Sequence, residues 1–240
     1  MKEKKVSKQY KIWAESYDYD KVKLFEKAEV DYYEFMTSFI EICALKPGMK
    51  ILDVGAGTGL TSIFLARALS GNFRILAIEP SGEMLERAKS NIEKEGLRDI
   101  ILIVKAKGED IPFEDECYDL ITSTFAIRHM EVEKALTEFK RVLKPEGKIV
   151  IADIAAPEKW RTLGGRIFSS LITLFLSLKG KYKGEAESKV LTVAEWKDLI
   201  GRMGLIIVQL KEFPGKKDPE WALGLYYLSV SYKITNHLLT

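Results

Sequence analysis

Cysteine and histidine are almost missing from this chain. Cys43, Cys117, His129 and His237 are the full set, and they are scattered. No disulfide framework and no metal site of ordinary ligand spacing can be built from them. Cys43 falls in an apolar helical pattern and reads as a buried, inert thiol. An excess of either charge is also lacking: 37 basic against 35 acidic residues leave a net charge of +2. That balance argues against a broad nucleic-acid surface. Long hydrophobic runs are absent as well. The longest, Ile167 to Leu178, is interrupted by hydroxyls and is too short to span a bilayer. The lysine-rich start, Met1 to Tyr10, has no apolar core of a secretory signal, so a soluble cytoplasmic protein is expected. Asn and Gln are scarce beside abundant Lys and Glu, which fits a thermophilic source. No internal repeat or low-complexity tract is present.

What is present is a rhythm of apolar runs and amphipathic stretches. Ile51–Val54, Phe73–Ile78, Ile100–Val104, Tyr118–Ser123, Lys148–Ile154 and Leu205–Leu210 read as six strands, with Leu225–Ile234 as the last candidate. The runs are apolar throughout rather than alternating, as expected of strands covered on both faces. Between them, Leu60, Ile63, Phe64 and Ala68 stripe one helix, and Met84, Leu85, Ala88 and Ile92 the next. Val132, Ala135, Leu136, Phe139, Val142 and Leu143 stripe a third, ended by Lys144-Pro145-Glu146-Gly147. Thr192 and Glu195 predict a capping box ahead of Trp196, Leu199, Ile200 and Met203. Such alternation predicts an α/β fold with a doubly wound, mostly parallel sheet. We read a single domain over 1–240: a helical N-terminal lid at 1–48, a cofactor-binding core at 49–154, an insertion or lid at 155–190 between strands five and six, and the rest of the sheet at 191–240. The insertion starts at the carboxyl end of strand five, on the rim where open α/β sheets hold ligands.

The most informative stretch is Ile51-Leu52-Asp53-Val54-Gly55-Ala56-Gly57-Thr58-Gly59-Leu60. A strand ending in a glycine turn and then a helix sets helix N-terminal amides under a ligand. Glu79, twenty residues past Gly59, ends the second strand and is placed to accept hydrogen bonds from ribose hydroxyls. A dinucleotide or another adenosyl ligand fits this pair. The spacing is G-x-G-x-G rather than the G-x-G-x-x-G of pyrophosphate binding, and Asp53 puts a carboxylate beside the turn. A carboxylate there repels a pyrophosphate and can hold an ammonium group, as on the amino acid part of S-adenosylmethionine.

With these residues in hand, the chain resembles the class I S-adenosylmethionine-dependent methyltransferases over about residues 10–210. The resemblance is carried by Leu52–Gly59, by Ala77-Ile78-Glu79-Pro80-Ser81-Gly82-Glu83-Met84-Leu85, by Glu109-Asp110-Ile111-Pro112-Phe113 and by Arg141–Gly147. It is closer to the ubiquinone/menaquinone-biosynthesis C-methyltransferases. Phe125-Ala126-Ile127-Arg128-His129 is similar to their Phe-Gly-(Leu/Ile)-Arg-Asn, and Trp13-Ala14-Glu15-Ser16-Tyr17-Asp18 to the segment that covers the cofactor. The resemblance implies a Rossmann-like seven-stranded sheet whose last strand is antiparallel. It implies S-adenosyl-L-methionine as cofactor, held by Asp53, Gly55, Ala56, Gly57, Gly59, Glu79, Pro80, Glu109, Asp110 and Tyr17, with Trp13 beside Tyr17 in the lid. Arg128 would stabilise a developing oxyanion, and His129, with an ordinary imidazole pKa of about 6.5, would take a proton. No metal is implied.

Two positions depart from the family. His129 stands where the quinone enzymes have asparagine, and Lys107 where many relatives carry the aspartate that contacts adenine. An O- or N-nucleophile on another metabolite or lipid therefore stays open as acceptor, beside a quinone precursor, as does a non-catalytic nucleotide-binding protein on the same fold. A nucleic-acid acceptor is disfavoured, since no Asn-Pro-Pro-Tyr or Asp-Pro-Pro-Tyr follows strand four. For Ile167–Leu178, with Arg161, Arg166, Lys179, Lys181 and Lys183 around it, the readings are a lid or dimer helix, a face for an apolar substrate, or peripheral membrane contact. Oligomeric state is left open.

Overall fold

The computed structural model describes residues 25, 30–69, 73–165, 167, 170, 171, 190–213 and 224–232. In chain order the elements are α1 (Tyr32–Cys43), β1 (Lys50–Val54), α2 (Leu60–Ala68), β2 (Arg74–Ile78), α3 (Gly82–Lys94), β3 (Ile101–Val104), β4 (Tyr118–Thr124), α4 (Val132–Val142), β5 (Leu143–Ala155), α5 (Val193–Arg202), β6 (Leu205–Phe213) and β7 (Gly224–Tyr232). Short 3-10 turns lie at Ile127–His129 and Glu158–Arg161. The strands form one sheet in the order β3-β2-β1-β4-β5-β7-β6. The first five pair in parallel, and β7 slots between β5 and β6 antiparallel to both. The order reverses at β1, so the glycine turn after it opens on the switch point where such sheets hold ligands.

Each helix covers the sheet for a reason legible in its residues. On one face, Phe35, Phe39, Ile63, Phe64 and Ala88 of α1, α2 and α3 pack over Ile51, Ile75 and Tyr227. On the other, Leu136, Phe139, Trp196 and Leu199 of α4 and α5 pack over Leu52, Ile121, Ile149 and Tyr226. Seven of the nine residues of α2 are buried, Thr61 and Ser62 among them, so it is enclosed nearly all round rather than on one stripe. Asp31 caps α1 by accepting from Tyr33 N (2.7 Å) and Glu34 N (3.0 Å). The capping box of α5 is formed in both directions: Glu195 N to Thr192 Oγ1 at 3.2 Å, Thr192 N to Glu195 Oε2 at 2.8 Å. Arg161 then grips Glu195 through two nitrogens at 2.7 and 2.6 Å, which ties the start of the 155–190 segment to α5.

Several local expectations change. α1 lies inside the stretch read as a lid, yet Phe35 and Phe39 are fully buried and the Tyr227 hydroxyl donates to the Phe35 carbonyl, so this helix is part of the core. The edge strands β3 and β6 are not covered on both faces: Leu102 is 62 % exposed and Val208 56 %. In α3, Met84 is exposed and Asn91 takes a buried place, because its amide donates to the Thr58 carbonyl at 3.0 Å. β5 begins at Leu143 rather than Lys148, and a register shift opposite Tyr118 and Leu120 absorbs Pro145. Trp13, Tyr17 and most of Ile167–Leu178 lie outside the described residues. Cys43 is buried, and burial pushes its thiol far above the ordinary range, as an inert cysteine requires. Among the described residues no cluster of three metal-ligating side chains occurs, and no helix is long and apolar enough to cross a membrane.

Candidate cofactor and acceptor site

Gly55, Gly57 and Gly59 all have positive φ, at 71°, 57° and 82°. A Cβ is strained there, and two of the positions also lack room for one. On Gly55 it would sit 2.4 Å from Ala126 Cβ, and on Gly59 3.3 Å from Ala88 Cβ. On Gly57 it would meet nothing within 4 Å. The outer two glycines thus serve packing against α3 and the β4 rim, and Gly57 faces open space. The turn's amides are committed within the protein. Gly55 N and Ala56 N donate to the Ile78 carbonyl at 2.9 and 3.0 Å, Gly59 N to the Ala56 carbonyl at 2.9 Å, and Gly57 N to Glu79 Oε2 at 2.8 Å. A row of free amides is therefore not offered by these four residues. A pyrophosphate needs such donors; a ligand without phosphate at this point does not.

Glu79 is 7 % exposed at the tip of β2. Its second oxygen accepts from Ser81 N at 2.9 Å, so each oxygen holds one backbone amide. A carboxylate offers about four acceptor positions in all, which leaves capacity for ribose hydroxyls. Pro80, beside it, is exposed at the rim. Asp53 is fully buried beneath the turn. Ser62 Oγ donates to it at 2.6 Å and Thr122 Oγ1 at 2.9 Å, so the carboxylate braces α2 and β4 against β1.

The loop after β3 closes the far side. Gly108 is buried, and a Cβ there would lie 2.6 Å from Met130 Sδ and 2.9 Å from Val54. Met130 also approaches Gly55, so this side chain wedges three rim loops together. Glu109 accepts from Glu131 N at 2.9 Å and thereby anchors the entry to α4, while Asp110 is exposed. The rest of the loop is clamped from α4. Arg141 donates to the carbonyls of Ile111 and Phe113, both at 2.8 Å, and pairs with Asp115 and Glu138, both at 2.7 Å. Glu138 in turn accepts from Ile111 N at 2.9 Å. The Arg141 guanidinium holds the Glu138 carboxyl below its ordinary range, against an opposing pull from burial.

At the β4 rim, Phe125 takes a left-handed φ of 55°, rare for a residue with a side chain, with its ring stacked on Phe35. Its carbonyl accepts from Arg128 Nη1 at 2.9 Å, and the same nitrogen reaches Asp153 Oδ1 at 2.6 Å. Arg128 and Asp153 form a buried ion pair, with side chains 11 % and 1 % exposed. Burial pushes the Asp153 carboxyl upward, and the guanidinium opposes that. His129 is exposed on the rim.

Spent amides, a buried acid at the second strand tip and a carboxylate under the turn together favour a ligand with ribose but no pyrophosphate. The family described as methyltransferase domain matches residues 52–151. Over these residues the chain is similar to class I S-adenosylmethionine-dependent methyltransferase domains. The ubiquinone/menaquinone biosynthesis C-methyltransferase UbiE of Shewanella frigidimarina is 30 % identical over 120 residues, covering 50 % of this chain and 48 % of its own. That of Azotobacter vinelandii is 28 % identical over 143 residues, 59 % and 56 % of the two chains. The chain thus spans about half the length of the curated relatives it matches. Among solved structures, the YcgJ protein of Bacillus subtilis superposes with a TM-score of 0.67 at 17 % identity, over 84 % of this chain and 100 % of that one. The geranyl diphosphate C-methyltransferase of Streptomyces coelicolor does so with 0.66 at 10 % identity, over 87 % and 81 %. These two show the fold.

The sheet therefore brings Gly57, Glu79 and Pro80 together at its rim, keeps Asp53 behind them, and places Glu109 in a loop contact and Arg128 in an ion pair. Sequence reading passed over Asn91, Gly108, Met130, Glu138 and Asp153. Only Asp153 carried a local signal, as an acid inside an otherwise apolar strand run.

Proposed function

We propose that this chain transfers the methyl group of S-adenosylmethionine to a small molecule, and that the acceptor is a carbon atom of a quinone precursor. The observation that carries the first part is Glu79, buried at the β2 tip with both oxygens fixed by backbone amides and acceptor capacity left over. In this reading Gly57 and Pro80 let the cofactor approach the turn closely. Asp53 acts through its charge from beneath, favouring the cationic amino acid part over an anionic phosphate. The loop around Glu109 and Asp110 borders the adenine. Bound there, the cofactor supplies an electrophilic methyl group whose bonding pair stays on sulfur, so the protein mainly has to align an in-line displacement.

The acceptor class rests on the similarity to the quinone enzymes and on the stretch Phe125–His129, which sits on the acceptor side of the rim. Methylating a phenol ring at carbon needs electron density pushed from an oxyanion, and the ring carbon then loses its proton. Arg128 stabilises the oxyanion, and the exposed His129 receives the proton and passes it to solvent. We read 1–240 as one domain working in the cytoplasm, with 155–190 as an insertion or lid.

Isothermal titration with S-adenosylhomocysteine tests the cofactor; millimolar or weaker binding beside tight NAD binding would sink the reading. Methylation of a demethylated prenyl naphthoquinol, with the product's new C–CH3 identified by NMR, tests the acceptor. His129 in place of asparagine favours a second reading, an O- or N-acceptor. A panel of amines and phenols beside the quinol separates the two.

A further inference from the structure

We propose that Asp153 and Tyr226 are positioning residues for Arg128, with the Tyr226 hydroxyl held in reserve for Asp153 when Arg128 turns its charge onto the acceptor. This rests on the methyl-transfer reading above. Asp153 and Tyr226 face each other across the β5–β7 pairing, on the sheet face that also carries Trp196. Asp153 is 1 % exposed and accepts from Arg128 Nη1 at 2.6 Å, from Ile154 N at 2.8 Å and from Arg128 N at 3.4 Å. Tyr226 is equally buried, and its hydroxyl has no hydrogen-bond partner among the described residues. Trp196 packs against its ring at 6.0 Å between centroids.

An unpaired buried hydroxyl is a standing cost, and phenylalanine would fill the same space without it. Something other than packing therefore accounts for the tyrosine. The nearby charges say what. Burial above all, and then the Asp153 charge, raise the Tyr226 phenol well above its ordinary range, and Arg128 opposes them, so the phenol stays protonated. Its O–H is an unused donor on the residue paired across the strands with an acceptor that at present uses Arg128. In the transition state the guanidinium is drawn toward the oxyanion of the acceptor, and a buried carboxylate loses part of its compensation. A second donor on the neighbouring strand removes that penalty when it arises. The hydroxyl then helps the transition state and not the resting fold, which is the differential that raises kcat.

Tyr226→Phe separates function from packing because the two move in opposite directions. The variant should gain roughly 2–4 °C in Tm, bind S-adenosylhomocysteine as wild type does, keep its KM for S-adenosylmethionine, and lose roughly tenfold to a hundredfold in kcat with the prenyl naphthoquinol. A kcat within twofold of wild type overturns the inference, and so does a fall in Tm, which would mean that the hydroxyl is bonded in the fold. Wild-type protein that binds no S-adenosylhomocysteine removes the functional reading and this inference with it. If wild type binds that ligand and turns over no quinol, the comparison moves to bound p-nitrophenol, followed by absorbance. Ionisation at lower pH in wild type than in Tyr226→Phe supports the inference, and equal ionisation overturns it.

Discussion

Replacing Glu79 by glutamine reads the cofactor site and the fold at once. The carboxylate accepts from Gly57 N at 2.8 Å and from Ser81 N at 2.9 Å, through different oxygens, in a place that is 7 % exposed. Glutamine keeps one acceptor oxygen and sets an NH2 against the other amide. One charge-assisted bond is lost outright, which costs about 1.5–3 kcal/mol. At about 2–4 °C per kcal/mol for a chain of this size, Tm should fall by roughly 3–12 °C. Alanine would remove both bonds and endanger a fold whose whole stability is about 5–15 kcal/mol, so glutamine is the better probe. If the remaining acceptor positions bind ribose hydroxyls, affinity for S-adenosylhomocysteine should also fall on the order of tenfold to a hundredfold. Titration calorimetry at a temperature well below both Tm values separates the two effects, because the folded fraction is then near unity. A lower Tm with a dissociation constant within twofold of wild type would refute the ribose assignment. Glu79 would then be a brace for the glycine turn and nothing more.

Arg128→Ala should cut kcat and kcat/KM together while S-adenosylhomocysteine binds near the wild-type level, as loss of a transition-state contact does. It should also destabilise, but by less than the roughly 3–5 kcal/mol of an uncompensated buried carboxylate, because the Tyr226 hydroxyl can donate to Asp153 once its cation is gone; full turnover on the quinol would end the oxyanion role. His129→Asn restores the residue of the quinone enzymes and, if the imidazole is the base, flattens the acidic limb of the pH–rate profile; an unchanged profile removes histidine from the mechanism. Glu138 titrates below its ordinary range of about 4.5, chiefly through Arg141, so its stabilising effect is full above that pH and lost as pH falls through the depressed value. Urea midpoints of wild type and Glu138→Gln should therefore differ at about pH 6 and converge as pH falls through that depressed value; a constant gap would show that the charge of Glu138 is irrelevant to the clamp.

The strands that the sequence reveals most plainly are the interior ones. Ile51–Val54 and Leu120–Ser123 are buried on both faces, and their cores, Ile51-Leu52 and Leu120-Ile121, are apolar for that reason. The same rule misleads at the edges: Leu205–Leu210 looks like a covered strand, yet Ile206 and Val208 stand exposed where the sheet has no further neighbour. Nothing in the period of Leu225–Ile234 says that it enters between β5 and β6 or runs antiparallel. That placement came with the family resemblance alone. Direction and neighbour are set by where the preceding chain delivers the strand, which is not a local property.

The site divides along the same line. Glycine spacing, Asp53 and Glu79 are legible because a turn at positive φ and an acid at a strand tip are unusual wherever they occur. What the glycine turn does with its amides is not legible. Ile78 and Glu79 lie more than twenty residues away and reach back to take the N–H groups of Gly55, Ala56 and Gly57. A motif read alone offers those donors to a phosphate; the adjoining strand withdraws them and so selects against one. Arg128 and Asp153 follow the same logic. An arginine after β4 looks free to meet a substrate, and an acid in β5 looks like a flaw in an apolar run. Pairing β4 with β5 turns them into one buried ion pair, and pairing β5 with β7 brings Tyr226 to the same carboxylate. Residues that declare chemistry by their type can be found one at a time. Residues that acquire it from a cross-strand neighbour exist as a site only once the sheet order is known.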